Sequence, residues 1–290
     1  MATLKKTTAN LSTKAALKKA TQTAQTAAKT LMPDVQSSLD VRGVAINKVG
    51  VKGIRYPITL RDAKGGAHHT VAQVNMYVAL PKEKKGTHMS RFLEVLNEHH
   101  DDIRIGELAG LMHAMRERLH AVEAHLELEF PYFVTKQAPI TGQSGKIDVQ
   151  VKVAVASTPK ADDMVLTIRV PATSLCPCSK EISRYGAHNQ RCEMEASVRF
   201  AKGKALSIEE LVGIVEKCAS TQVFAVLKRL DEKFVTEDAY DNPKFVEDIV
   251  RDLTVALDKT KGISWFRVAS ENFESIHNHN AYAVVEMDKR

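Results

Sequence analysis

The chain is organised around residues 176–191, which read CPCSKEISRYGAHNQR. This segment lies between residues 164–170 and 192–200, whose patterns of apolar residues predict β-strands. A short turn is enough to join two strands, so a connection this long, with two thiols, an imidazole and several charged groups, is typical of a binding or catalytic loop. We therefore interpret the rest of the chain as the scaffold that holds this loop.

The flanking sequence predicts the same order of elements twice. Two strands, two helices and two strands are indicated before residue 160, and the order then recurs. Ser207 followed by Glu210 is a capping box that marks the start of one helix. The pattern predicts an α+β fold with two similar modules, residues 35–160 and 161–290, after a flexible lysine-rich tail at residues 1–34. The predicted strands are 44–62, 69–80, 130–137, 146–156, 164–170, 192–200, 264–268 and 281–287, and the predicted helices begin near Thr87, Ile105, Ser207 and Asn242.

The formal net charge of +6 comes entirely from the amino terminus. Residues 1–32 contain six lysines and no acidic residue, whereas basic and acidic side chains balance in the remaining 258 residues. A nucleic-acid-binding protein needs a basic surface on its folded part, so this distribution argues against that class. No apolar run reaches the length of a membrane span and no secretory signal is recognisable, so we expect a cytoplasmic protein.

The central segment contains two good ligands for a transition metal. His188 follows Cys176 by twelve positions, and thiolate and imidazole are both ligands of zinc. A catalytic metal needs about three protein ligands and one open position, and Glu232 or Glu247 could supply the third. Such a set also suits iron or manganese. The alternative is that the cysteines are buried and that His188 is only hydrogen-bonded.

Two further polar clusters carry candidate residues. His277 and His279 alternate and would point the same way in an extended segment, where they could bind metal or transfer protons. An exposed polar loop explains the same pattern. The acidic segment 231–237 and Glu247, early in a predicted helix, are equally compatible with solvated acids near a helix amino end.

Five segments carry the most distinctive motifs: residues 176–191, 87–92 (THMSRF), 231–237 (DEKFVTE), 242–248 (NPKFVED) and 277–279 (HNH). Together they resemble the motifs of GTP cyclohydrolase of type IB, and the resemblance runs from about residue 35 to the carboxyl end. The resemblance implies an α+β tunnelling fold, with two β-β-α-α-β-β modules per chain, antiparallel sheets and helices on one face. It implies a homotetramer with sites near subunit interfaces, and hydrolysis of GTP to 7,8-dihydroneopterin triphosphate and formate. The metal would be divalent zinc, manganese or iron.

The same resemblance implies a role for each candidate residue. Cys176, His188 and Glu232 would hold the metal, with Cys178 beside it, and Cys176 would thereby be catalytic. Glu247 would accept hydrogen bonds from the guanine edge, and His277 and His279 would move protons. The triphosphate would meet basic side chains chosen from Lys180, Arg184, Arg91 and Arg191.

Two other interpretations remain open from the sequence. A nitrile reductase of queuosine synthesis has the same fold, but it uses a cysteine nucleophile and a nicotinamide cofactor; the Cys176–His188 pair and the two later histidines favour a metal hydrolase. A structural zinc site would need four closed ligands, which Cys176, Cys178, His188 and Cys192 could in principle provide.

Overall fold

The computed structural model describes residues 33–61, 65–100, 103–105 and 108–289. The predicted lysine-rich tail therefore lies outside the described residues up to position 32. The described residues fall into two compact units, of which the smaller contains residues 33–46 and 80–87. In this smaller unit a bridge between Leu39 and Lys84 is antiparallel.

The larger unit contains the sheet. In the described part of the chain nine strands form one sheet in the order β1-β2-β3-β4-β5-β6-β8-β9, with β7 paired to β5. The pairs from β2 to β9 are antiparallel. The strands are β1 (Ile46–Arg61), β2 (Ala67–Leu80), β3 (Ala124–Gln137), β4 (Ser144–Ser157), β5 (Asp162–Leu175), β6 (Asn189–Phe200), β7 (Thr221–Gln222), β8 (Ile263–Asn272) and β9 (Ala281–Asp288).

The helices occur in two groups, between β2 and β3 and between β5 and β8. The first half of the described chain has the predicted order β-β-α-α-β-β, and the antiparallel α+β class is confirmed. The division at residue 160 into two modules stays a prediction. The described helices are α1 (Met89–His99), α2 (Ala109–Leu119), α3 (Pro177–Ile182), α4 (Ile208–Glu216), α5 (Arg229–Asp241) and α6 (Val246–Lys259). None of them is both long and apolar enough to cross a membrane.

One hydrophobic core lies between the sheet and the helices. Strand β3 buries every second residue, including Leu126, Leu128 and Phe130, and α6 buries Ile249 and Leu253 against β8 and β9. Each such side chain contributes about 1.5–3 kcal/mol when fully buried. The opposite face of the sheet carries polar cross-strand pairs, so the helices cover one face only; Arg169 Nε, for example, lies 2.9 Å from Glu195 Oε2.

Several element boundaries differ from the predicted ones. Strand β3 begins at Ala124, because the alternation of residues 124–130 already buries one face. Thr87 is not the cap of α1, since the N-cap residue is His88. Helix α6 begins at Val246, three positions after Pro243. The capping box before α4 is confirmed, because Ser207 Oγ accepts a hydrogen bond from the Glu210 amide and the Glu210 carboxylate accepts one from the Ser207 amide.

Helix α5 was not predicted, and its position depends on one buried carboxylate. Asp231 has no exposed surface and accepts hydrogen bonds from the amides of Ile140, Thr141 and Lys228, each at 2.9 Å. The Thr141 hydroxyl donates a further bond at 2.6 Å. Burial alone would raise the pKa of the Asp231 carboxyl, but these hydrogen bonds outweigh it and hold the pKa well below its ordinary value.

We expect Asp231→Asn to destabilise the protein at neutral pH. A carboxyl whose pKa is lower in the folded than in the unfolded protein stabilises the folded state. This stabilisation is complete above the unfolded pKa of about 3.9 and is lost as the pH falls through the folded pKa. The difference from wild type should therefore be constant between about pH 7 and pH 5 and shrink below about pH 4. Urea unfolding at several pH values measures it. Asp238→Asn, an exposed carboxylate on the same helix, is the matched control; equal stability of both variants at pH 7 would contradict the assignment.

A buried ion pair joins the end of β3 to the end of α4. Lys136 Nζ lies 2.5 Å from Glu216 Oε1, and both side chains are only 7% exposed. The ammonium also lies 4.5 Å from the centre of the Phe224 ring. Burial disfavours both charges, because it lowers the pKa of Lys136 and raises the pKa of Glu216. Each charge is therefore tolerated only while the other is present.

Breaking this pair should be costly, whereas replacing it as a whole should not. Glu216→Gln leaves an uncompensated buried ammonium and should lower the free energy of unfolding by about 3–5 kcal/mol. The double variant Lys136→Met/Glu216→Leu should recover most of that loss. Glu237→Gln breaks the exposed pair with Lys233 and should change stability by less than about 1 kcal/mol. Similar losses from Glu216→Gln and Glu237→Gln in urea titrations would refute the expectation.

Candidate active site

The end of the β5–β6 ladder brings Cys176 and His188 together. The last paired residues are Leu175 and Asn189, and directly beyond them the Cys176 amide donates a hydrogen bond to the His188 carbonyl at 3.1 Å. Residues 177–187 form the loop that this bond closes. Both residues are half-buried, and they lie at one end of the sheet.

Ser179 holds the two backbones in place. Its hydroxyl donates to the Cys176 carbonyl at 3.1 Å and accepts from the His188 amide at 3.2 Å. The Ser179 amide in turn donates to the Cys176 sulfur at 3.4 Å, at the start of α3, where Pro177 occupies the first turn. Thiolate is the form of a cysteine that binds metal, and this contact holds the sulfur at the start of α3.

The start of α6 is attached to the same strand end. The Lys244 amide donates to the Leu175 carbonyl at 3.0 Å, and the Leu175 amide donates to the Ser220 hydroxyl at 3.1 Å. Glu247, the second residue of α6, is exposed. Lys180 contacts the end of α5, a few residues before α6. Its ammonium donates to the Tyr240 carbonyl and lies 4.2 Å from the centre of the Tyr240 ring.

The connection between β8 and β9 carries the two later histidines. His277 and His279 are exposed, and their rings stack with centroids 5.0 Å apart and planes at 15°. The residues lie in a series of bends rather than in a strand, so stacking rather than extended alternation makes them neighbours. Glu274 of the same connection accepts a hydrogen bond from Gln190 Nε2 at 3.4 Å, which links it to the start of β6.

Three predicted site residues are not drawn into this group by any described contact. Glu232 is exposed near the start of α5, and Arg184 is exposed in the loop with its guanidinium 5.3 Å from the centre of the Tyr185 ring. Arg91, on α1, donates to the Arg118 carbonyl at 3.3 Å. Among the residues that the structure describes, no three His, Cys, Asp or Glu side chains are placed to hold a metal ion. The predicted metal set therefore stays a prediction.

The donor chemistry of Cys176 and His188 nevertheless suits a divalent metal, whereas that of the two buried cysteines does not. Cys192 is 1% exposed within the hydrophobic core, and burial raises the pKa of its thiol to about 12. Cys218 is also buried, and burial raises the pKa of its thiol to about 11. A closed zinc site that includes Cys192 is therefore not supported. Cys178 is exposed.

Sequence reasoning missed two buried polar residues beneath His188. Gln190 is 7% exposed and Ser174 has no exposed surface. Gln190 occupies the buried face of β6 in alternation with Cys192 and Met194. A polar residue in an apolar alternation is the signal that could have identified it, because buried polar groups need partners.

A large cavity lies apart from these residues. Its volume is about 620 Å³, and its lining includes Leu166, Phe200 and Leu206 together with Tyr132 and Glu209. The phenol of Tyr132 donates to Glu209 Oε1 at 2.5 Å. None of the predicted site residues lines the cavity, so the candidate site is not assigned to it.

Comparison with known proteins identifies the family. The family model described as type I GTP cyclohydrolase folE2 matches residues 32–283. GTP cyclohydrolase FolE2 of Syntrophobacter fumaroxidans is 54% identical over 259 residues, which cover 89% of this chain and 100% of that protein. The enzyme of the same name from Magnetococcus marinus is 56% identical over 259 residues, covering 89% and 97%.

A solved structure supports the fold. A uricase from Bacillus fastidious superposes with a TM-score of 0.51 at 11% identity and covers 86% of this chain and 95% of that one. The antiparallel sheet with helices on one face is thus the predicted tunnelling fold. The matched family also decides against the nitrile reductase interpretation. The chain belongs to the type I GTP cyclohydrolase folE2 family.

Proposed function

We propose that this chain hydrolyses GTP to 7,8-dihydroneopterin triphosphate and formate, the first step of tetrahydrofolate biosynthesis, which can also feed the synthesis of queuosine-type nucleosides. Family membership supports the reaction. The observation that carries its location is the hydrogen bond between the Cys176 amide and the His188 carbonyl. It places a thiol and an imidazole at the strand end to which the helix of Glu247 is also attached.

The proposed metal ligands are Cys176, His188 and Glu232. Sulfur, nitrogen and oxygen ligands of this kind accept zinc, manganese or iron. A bound divalent ion would supply a water molecule acidic enough to react as hydroxide near neutral pH. Glu232 lies on the helix whose far end contacts Lys180 through Tyr240, so α5 and the Cys176 loop are physically connected.

Glu247 is the proposed guanine anchor. Guanine presents N–H donors on one edge, and a carboxylate can accept two of them at once. The exposed position of Glu247 in the first turn of α6 leaves its oxygens available, and the bond between Lys244 and Leu175 fixes the start of the helix. Guanine bound there would lie at the same strand end as Cys176.

His277 and His279 are the proposed proton carriers. Imidazole exchanges protons near neutral pH, and the ring opening, sugar rearrangement and reclosure of this reaction each need protons added and removed. The two rings are exposed and stack with their centroids 5.0 Å apart, so two imidazoles are available at one place. The link from Glu274 to Gln190 attaches their connection to the strand that carries His188.

The triphosphate needs several cations. Lys180 and Arg184 lie on the same loop as Cys176 and are the proposed partners, since ammonium and guanidinium groups both bind phosphate oxygens. Arg91 is proposed only because it lies in the matching motif at residues 87–92. Its described contact is with α2, not with the loop.

The proposed assembly is a homotetramer in the cytoplasm. In the described sheet β1 and β9 are the outer strands, and an outer strand is available to pair with another chain. Large apolar side chains near the candidate site, among them Ile182, Tyr185 and Ile276, are exposed in the single chain and would be covered by a partner. Four free cysteines fit a reducing compartment.

Turnover with GTP tests the proposal directly. The purified full chain, reconstituted with zinc, manganese or iron(II), is incubated with GTP; the product is oxidised and its pterin fluorescence recorded, while formate is assayed separately. Equal amounts of pterin and formate, lost on chelation and restored by metal, are expected. Failure to form either product with every metal tested would refute the proposed function.

We expect Cys176→Ala to lose metal and activity together. Removing a group that only orients a metal ligand costs about 10–100-fold in affinity, so removing the ligand itself should weaken binding at least about 100-fold. Metal content after dialysis and the initial rate with GTP measure the two effects. Cys218→Ala, which changes a buried thiol in the core, is the matched control. Full activity of Cys176→Ala would show that the site is wrongly assigned.

Glu247→Ala should separate substrate binding from metal binding. The variant should retain its metal but lose about 100-fold or more in kcat/KM, because a guanine edge left without its acceptor is poorly recognised. Metal analysis and steady-state kinetics check both outcomes. Asp258→Ala changes an exposed carboxylate at the opposite end of α6 and should behave as wild type. Loss of metal from Glu247→Ala would indicate a ligand rather than a guanine anchor.

A further inference from the structure

The side chain of Gln190 is placed to control the ring of His188. Its amide is buried at the start of β6, with only 7% of the residue exposed. Gln190 Oε1 lies 2.9 Å from His188 Nδ1. Gln190 Nε2 donates to the hydroxyl of Ser174, on the neighbouring strand, at 2.8 Å and to Glu274 Oε1 at 3.4 Å. All three partners of this amide lie at the candidate site.

Glu274 decides which way round the amide lies. A hydroxyl such as that of Ser174 can donate or accept, and a neutral imidazole nitrogen can do either, so neither of them distinguishes the amide oxygen from the amide nitrogen. An ionised carboxylate only accepts. The group that faces Glu274 must therefore be the Gln190 amide nitrogen, and the amide oxygen must face His188.

This orientation assigns the proton on His188. Because Gln190 Oε1 only accepts, His188 Nδ1 must carry the hydrogen that fills the 2.9 Å contact. The neutral ring then has no hydrogen on Nε2, and the lone pair of Nε2 is available to a ligand. A ring that carried its hydrogen on Nε2 would leave the buried oxygen of Gln190 facing a second acceptor.

We propose that Gln190 is a positioning residue that holds His188 in the Nδ1-protonated form, with its direction set by Glu274, so that Nε2 is ready to bind the metal. The inference rests on the proposed function, in which His188 is a metal ligand. Hydrogen bonds to the second nitrogen of a ligating histidine typically fix its tautomer and ring direction, and their loss costs about 10–100-fold in metal affinity.

The same contacts give Glu274 a second role. It belongs to the β8–β9 connection that carries His277 and His279, so the acceptor that orients the amide beneath His188 also ties this connection to β6. A change at Glu274 should therefore affect His188 even though the two side chains share no described contact.

The tautomer can be observed without metal. In apo protein labelled with ¹⁵N-histidine, two-bond ¹H–¹⁵N correlations at about pH 8.5, where imidazole is neutral, report which nitrogen carries the hydrogen. His188, assigned by its absence from His188→Gln, should be Nδ1-protonated in wild type. Gln190→Met, which removes the acceptor from the buried site, should shift it towards the Nε2-protonated form.

Two further variants sharpen the test. Glu274→Gln changes a half-buried residue of the β8–β9 connection rather than a core residue. The amide introduced at position 274 can donate or accept a hydrogen bond, so the side-chain amide of Gln190 can adopt either orientation. His188 should then populate both tautomers. Gln150→Met, on a half-buried position of β4, should leave His188 unchanged. Zinc affinity from chelator competition should fall by about 10–100-fold in Gln190→Met and not in Gln150→Met.

The outcomes separate this inference from the proposed function. An Nε2-protonated His188 in the wild-type apo protein, or a tautomer unaffected by both Gln190→Met and Glu274→Gln, would overturn the role of Gln190, whatever Cys176→Ala does. If the tautomer shifts as expected but Cys176→Ala retains its metal, the hydrogen-bond assignment is supported and the proposed metal site is the part that fails.

Discussion

The hydrogen bond from the Cys176 amide to the His188 carbonyl is the constraint on which the candidate site depends. It continues the β5–β6 ladder by one step beyond its last residue pair, so the rigidity of two long strands is transmitted to both side chains. The neighbouring Leu175 uses its own carbonyl and amide to attach the start of α6 and the segment before β7. Three separate parts of the chain are thereby aligned, the loop and the start of α6 by bonds between main-chain groups and the segment before β7 through the Ser220 hydroxyl.

The parts of the fold that sequence could predict are those whose signal is local. Alternating burial along β3 and the capping box of Ser207 and Glu210 are both contained within a few neighbouring residues. Helix α5 has no such signal, because it buries only Asp231 and Ala239 and shows little amphipathic pattern. Its position is decided by bonds between Asp231 and Thr141, which are 90 residues apart in sequence, and no window of sequence contains both partners.

The residues of the candidate site likewise differ in whether a local sequence signal identifies them. Cys176 and His188 flank one loop between two predicted strands, and strand pairing alone makes them neighbours. Glu232 is assigned by motif, but a motif specifies residue types and order, not the distance between Glu232 on α5 and Cys176 directly after β5. Gln190 was overlooked because its importance lies in what it contacts: the ring of His188, the hydroxyl of Ser174 and the carboxylate of Glu274.

The polar cluster beneath His188 also has a thermodynamic consequence. An unpaired buried amide or hydroxyl costs about 1–3 kcal/mol, so Gln190 and Ser174 are tolerated on an otherwise apolar face only while their hydrogen bonds are complete. An apolar pair at these positions would satisfy the core equally well and would need no partners. The chain instead has an arrangement in which folding and the position of the hydrogen on His188 Nδ1 depend on the same bonds. A cluster that is stable in only one arrangement of its hydrogens is suited to orienting a ligand, because any other orientation of the ring would leave a buried polar atom unsatisfied.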